Sequence, residues 1–223
     1  MNVSKKLLIF MLAAITVLLS ACGGEPSEKI HNNLEKSVEI ESKAGEKQDS
    51  IIKLEKKEKV IYDKLIALGD KDMKGIQKLS DDAITNIDKR KDLINEEKDS
   101  MGESKKNFEE IKGQIDKLET EKEKSRANKM YKTMENRFSI YNKLNKAYLK
   151  SLTEEKKMYK LLAKKDATHE QVSSQIQEVN TTYKKLIETN KDFNAKTKAY
   201  NDQKKAFYKA TDLDVSYNKQ KEK

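Results

Sequence analysis

The chain has no tryptophan, one proline (Pro26), one cysteine (Cys22) and seven glycines among 223 residues. Little then remains to interrupt a helix once it has begun. A lone cysteine excludes an internal disulfide, and the lack of tryptophan argues against a dedicated sugar-binding cleft. Apolar residues are also scarce, at 35 % against 38 % charged. They nevertheless recur with a helical period, which separates this composition from that of a disordered chain. The expectation is a nearly all-α protein whose core is a narrow seam between long helices.

The longest apolar run lies at the N-terminus. Lys5 and Lys6 precede residues 7–19, which are apolar except for Thr16. A short basic stretch followed by so brief a run, so early, reads as a signal peptide. It ends in Leu19-Ser20-Ala21-Cys22, which resembles the bacterial lipobox. There diacylglycerol is transferred to the cysteine sulfur and the preceding peptide bond is cut. Cys22 is therefore the expected lipidation site, and two acyl chains anchor a protein stably where one does not. The expected division is 1–21 signal peptide, 22–26 lipidated end and spacer, 27–211 helical domain and 212–223 polar tail. The expected location is the extracytoplasmic face of the cell membrane.

Periodicity divides the helical domain into four segments. In the first, 27–68, one heptad row reads Ile30, Ser37, Ala44, Ile51, Glu58, Leu65 and another Asn33, Ile40, Lys47, Leu54, Ile61, Leu68. Gly69 supplies a C-cap, and Asp70 and Asp72 are capping candidates. In the second segment Ile87, Ile94, Met101, Phe108 and Ile115 repeat by seven, with Ile76, Ala83, Ile111 and Leu118 beside them. No large apolar residue occurs in 119–129, and the seam resumes out of phase at Met134, Tyr141 and Tyr148, so a turn is expected at 120–128. The third segment ends near Ala163, and Thr168 with Gln171 forms a candidate capping box for the fourth. Val172, Val179, Leu186, Phe193, Tyr200 and Phe207 give that last helix its seam, with Ile176 and Tyr183 alongside.

Four such helices joined by short turns predict an up-and-down antiparallel four-helix bundle, roughly 60 Å long at helical rise. If the 120–128 turn were absent, the alternative is a three-helix bundle resembling a spectrin repeat.

A lipobox at Cys22 followed directly by a Lys/Glu-rich helical domain resembles the YkyA family, the cell-wall-binding lipoproteins of Gram-positive bacteria. The resemblance spans the whole chain and implies a helical bundle, membrane anchoring and association with the wall. It carries no catalytic residues over.

Catalytic and metal-binding signatures are missing. His31 and His169 are far apart in sequence, and neither sits in a metal pattern such as HExxH. His169, in a helix's first turn, is expected at the surface. The sole thiol is consumed by lipid, and there is no nucleophile elbow and no phosphate-cradling glycine loop. The expectation is a non-enzyme without cofactor or metal.

Charge is more informative. Residues 22–120 hold 20 basic and 24 acidic side chains, whereas 121–223 hold 25 and 14. The excess concentrates in 121–166, with 14 basic and 6 acidic residues. Two rows remote from the third seam read Lys129, Lys143, Lys150, Lys157, Lys164 and Lys132, Lys146, Lys160. Together they form an expected lysine stripe about 50 Å long. Lysine faces usually serve solubility, but this one lacks the alternating acids that would supply (i, i+4) pairs. Repeated point charges suit a repeating polyanion such as teichoic acid; nucleic acid is not expected, since no recognition motif supports it. Tyr131, Tyr141, Tyr148 and Tyr159 could stack on sugars, but the last three fall on seam positions, where packing with the hydroxyl reaching water is expected. Binding to wall polymers is thus the leading functional expectation, and a helical adaptor for another envelope protein is the alternative.

Overall fold

The computed structural model describes residues 25–69, 72–211 and 213. The expected signal peptide, Cys22, Asp70 and the 212–223 tail apart from Leu213 lie outside them. All regular structure among the described residues is helical: α1 (Pro26–Leu68), α2 (Met73–Glu109), the single-turn α3 (Lys112–Ile115), α4 (Glu121–Leu162) and α5 (His169–Tyr208).

The termini follow local chemistry. Pro26 opens α1, where its missing N–H costs nothing and its fixed φ suits the first turn. Gly69 closes the helix at φ +59°, a left-handed conformation that side chains with a Cβ resist. Asp72 caps α2 by accepting the Gly75 N–H at 2.9 Å. A Cβ at Gly75 would meet Asp72 Oδ2 at 2.5 Å and Leu68 Cδ1 at 3.0 Å. At α5 the expected box is present: Thr168 Oγ1 accepts the Gln171 N–H at 3.2 Å, and Gln171 Oε1 accepts the Thr168 N–H at 3.0 Å.

The reversal between the second and third long helices falls earlier than the sequence pattern suggests. The chain leaves α3 at Ile115 and turns within 116–120, while 121–128 already belongs to α4. The cause is a second capping box. Thr120 Oγ1 accepts the Glu123 N–H at 3.2 Å, and Glu123 Oε2 accepts the Thr120 N–H at 2.8 Å. Ile111, Ile115 and Leu118 stay buried through the reversal. The shortage of large apolar residues in 119–129 therefore marks the exposed start of a helix, where Ala127 alone is buried.

The chain divides into two compact units, each containing part of every long helix. Unit 1 comprises Met1–Gly45, Asp99–Tyr141 and Lys191–Lys223; unit 2 comprises Glu46–Lys98 and Asn142–Asn190. In unit 1, Asn107 Nδ2 donates to the Asn33 carbonyl at 2.7 Å and Ser104 Oγ to the Ser37 carbonyl at 3.3 Å, pairing α1 antiparallel to α2. In unit 2, Gln48 meets Glu97 and Leu54 meets Asn86 in the same sense. There α4 opposes α2, with Lys156 on Asp88 and Asn145 on Ile94, whereas Glu55–Tyr148 and Glu58–Tyr159 show α1 and α4 running the same way. Gln175, on α5, donates to the Glu154 carbonyl of α4 across their connecting turn. The result is four long antiparallel helices running up and down, and the three-helix alternative is set aside by the break at 116–120.

The heptad rows sit where expected. Ile30, Ala44, Ile51 and Leu65 on α1, Ile87, Ile94, Met101 and Phe108 on α2, and Val179, Leu186, Phe193, Tyr200 and Phe207 on α5 are all buried. Val172 and Leu162 are half-buried. Polar seam positions are buried too, including Ser37 and Glu58 from the first row.

Candidate functional site

Each unit encloses one arginine. In unit 1, Arg137 of α4 falls three residues after Met134 and four before Tyr141, so helical spacing turns it inward, and none of its surface reaches solvent. Its two terminal nitrogens grip Glu41 of α1 at 2.9 and 2.7 Å, Nε donates to Thr197 Oγ1 of α5 at 3.0 Å, and the guanidinium lies 4.8 Å from the centre of the Phe193 ring. Ser104 of α2 donates to Glu41 Oε1 at 3.0 Å. All four long helices thus meet at one satisfied ion pair. Nearby, burial pushes the Tyr200 phenol above its usual range, with the Glu41 charge adding to it. Burial also lowers Lys204, outweighing Glu35 at 3.8 Å.

In unit 2, Arg90 of α2 occupies the equivalent inward phase between Ile87 and Ile94. One terminal nitrogen donates both to Glu58 Oε2 at 2.8 Å and to Glu155 of α4. Burial works against its charge, but Glu155 and Glu58 together outweigh it and hold the guanidinium well above its ordinary pKa. The Tyr148 hydroxyl donates to Glu55 at 2.8 Å and the Tyr159 hydroxyl to Glu58 at 2.9 Å. Tyr183 of α5 hydrogen-bonds Glu155.

These contacts settle the tyrosines. Tyr141, Tyr148 and Tyr159 pack in the seam as expected, and Tyr131 joins them, stacked on Phe108 at 5.2 Å. The expectation that the seam hydroxyls reach water fails for Tyr148 and Tyr159, whose partners are carboxylates within the core.

The lysine stripe is an exposed surface. Lys129 and Lys132 lie in unit 1, while Lys143, Lys146, Lys150, Lys157, Lys160 and Lys164 lie in unit 2. All eight are exposed, the first seven on α4 and Lys164 just beyond its end. Lys157 pairs with Glu154 at 3.0 Å. Glu154 is itself held ionised, chiefly by Gln175 and then by Lys157, with Lys150 close enough to contribute. Among the described residues the other seven lysines form no ion pair. Lys156 points differently and meets Asp88 at 2.6 Å.

The basic excess of 121–166 is therefore less superficial than its count implies. Arg137 spends its charge inside, on Glu41. The sequence holds only three arginines, Arg90, Arg126 and Arg137, among 47 basic residues. Their rarity and their phase were the available signal for two internal sites. His31 is buried against Tyr208 at 5.4 Å in unit 1, and His169 is exposed in unit 2. No cluster of His, Cys, Asp and Glu suited to a metal occurs among the described residues.

Comparison with known proteins places this architecture. Residues 25–210 match the family model YkyA, described as "Putative cell-wall binding lipoprotein". The "Uncharacterized lipoprotein YkyA" of Bacillus subtilis (strain 168) is 34 % identical over 198 residues, covering 88 % of this chain and 89 % of that one. A crystal structure of a conserved Staphylococcus aureus protein of unknown function superposes with a TM-score of 0.70 at 19 % identity, over 84 % of this chain and 98 % of that one. The last likeness speaks to the fold alone. The match across the helical domain, together with the relative covering most of both chains, shows that this chain belongs to the YkyA family of lipoproteins.

Proposed function

We propose that the chain is a non-catalytic envelope protein, anchored through a diacylglycerol on Cys22 to the outer face of the cell membrane, that binds an anionic wall polymer of the teichoic-acid type through α4. The observation that carries this reading is the set Lys143, Lys146, Lys150 and Lys160 of unit 2, all exposed and none paired with a described acid. A solubilising face is cheapest when it alternates sign, because (i, i+4) pairs then stabilise the helix. This face forgoes most of that gain. Lysines on flexible stems can follow a polyphosphate without fixed geometry, each displacing a counterion. Binding of this kind is weak per residue and strongly dependent on salt.

Replacing Lys143, Lys146, Lys150 and Lys157 by Glu tests the reading. Helicity by circular dichroism should stay intact, while retention on walls carrying teichoic acid should fall at least about tenfold at low salt. Parental retention should itself weaken between about 50 and 200 mM salt. Equal retention by the variant, or a salt-independent parent, would reduce the stripe to a soluble face.

A helical adaptor for another envelope protein is the second reading. It is favoured by Val60 and Ile66 on α1, which are 51 % and 64 % exposed and are the large apolar side chains most open to solvent among the described residues. Isolated exposed aliphatics are common on soluble proteins, so this observation weighs less than the lysines.

A further inference from the structure

Unit 2 encloses more carboxylate than its buried cation can balance. The single guanidinium of Arg90, on α2, meets Glu58 from α1 and Glu155 from α4, and Glu55 from α1 lies within its electrostatic reach. The other titratable groups turned toward these carboxylates are phenols: Tyr148 and Tyr159 of α4 and Tyr183 of α5. Burial, with nearby carboxylates adding to it, raises all three above their usual range, so they offer no compensating charge change near neutral pH. Unit 1 is built differently, because Arg137 meets Glu41 one to one and bidentately.

We propose that unit 2 is a pH-responsive element that carries a proton on Glu155 as part of its packed core, stays closed in acid and loosens progressively as the outside pH rises through neutrality.

Two carboxylates sharing one guanidinium nitrogen in a water-poor site cannot both ionise without mutual repulsion. Glu155 is the member that gives way, being 1 % exposed against 9 % for Glu58. Burial is the main cause that pushes its carboxyl up to about 8; Glu58 adds to it, and Arg90 and the Tyr183 hydrogen bond oppose it. Since the folded pKa lies above the ordinary 4.5, the folded unit holds more protons than the opened one between those values. The stability due to this proton is complete below about 4.5, falls as pH rises, and has been lost once pH passes about 8. Lys143, Lys146, Lys150, Lys157 and Lys160 of α4 lie in the same unit, and the response to pH is independent of what they bind.

Hydrogen exchange on the full chain between about pH 5.5 and 7.5, with rates corrected for intrinsic chemistry, reads the device directly. Amides around Arg90 and Glu155 should open up to about tenfold more per pH unit in the parent. In Glu155→Gln, which supplies a neutral group of the same shape, that slope should fall to the smaller part due to Glu55, whose carboxyl burial also raises. A flat parent, or a Gln variant that keeps the parental slope, would overturn the proposal. If Glu155→Gln fails to fold, Glu58→Gln serves instead, because it leaves Arg90 to Glu155 and should draw the Glu155 carboxyl back toward its ordinary range. Carbon-13 carboxyl shifts provide a second readout in the unmodified sequence. A Glu155 midpoint well above the other glutamates is expected, and one below about 5.5 would overturn the proposal.

Discussion

Arg137 does at one position what a lysine could not. Its planar fork holds both Glu41 oxygens while Nε reaches Thr197, so three donors are satisfied at once on a side chain with no exposed surface. Such a pair adds little net stability, because two charges must be desolvated, but it penalises any register in which they fail to meet. Arg137→Ala should therefore cost about 3–5 kcal/mol in urea unfolding, since Glu41 would be left buried and unpaired. The double change Glu41→Leu with Arg137→Met should recover most of that loss. A single variant within about 1 kcal/mol of the parent would contradict the burial described. Neither arginine site was read from the heptads, for a physical reason. Periodicity identifies which face is inside, but a charged residue on that face looks like a gap in the seam until its partner on another helix is known. Glu155, seven residues after Tyr148, is hidden in the same way.

At the level of elements, the long helices are legible because almost nothing in the sequence competes with them, and two of the three turns are marked by ordinary capping chemistry. Gly69, Asp72 and the Thr168/Gln171 box behave as their residue types suggest. The remaining turn was misplaced by a few residues because phase slippage marks that a break exists without fixing where, whereas Thr120 and Glu123 fix it. Thr120→Ala should cost about 1 kcal/mol and fray the start of α4, visible as faster amide exchange at 121–124. Gly102 offers the opposite test. It lies within α2, exposed, and an added Cβ there meets nothing within 4 Å. Gly102→Ala should accordingly stabilise the protein by about 0.5–1 kcal/mol, and a lowered melting temperature would mean that the space is not open.

For the whole molecule, the question is what holds it at its place of work. No helix among the described residues is long and apolar enough to cross a membrane, and the attachment we propose is the lipid on Cys22. Residues 22–223 carry a net charge of +7, with the excess in the second half of the chain. Two forces can therefore keep the protein at an envelope surface, and they differ in range and in response to salt. Two acyl chains hold through apolar burial, which added salt does not weaken, whereas lysines hold anionic headgroups or polymers through charge that salt screens. Cys22→Ser should remove only the first. The variant should lose fatty-acid labelling and either stay as unprocessed precursor, recognised by its larger mass, or be cleaved. Once cleaved, it should remain partly associated with cell envelopes at low salt and come off in about 0.5 M salt, where the Debye length is below about 8 Å. The parent should stay bound under the same wash. Fatty-acid label on the serine variant would refute the lipid site, whereas a cleaved variant that remained bound in high salt would show an attachment that neither the lipid nor the lysines supply.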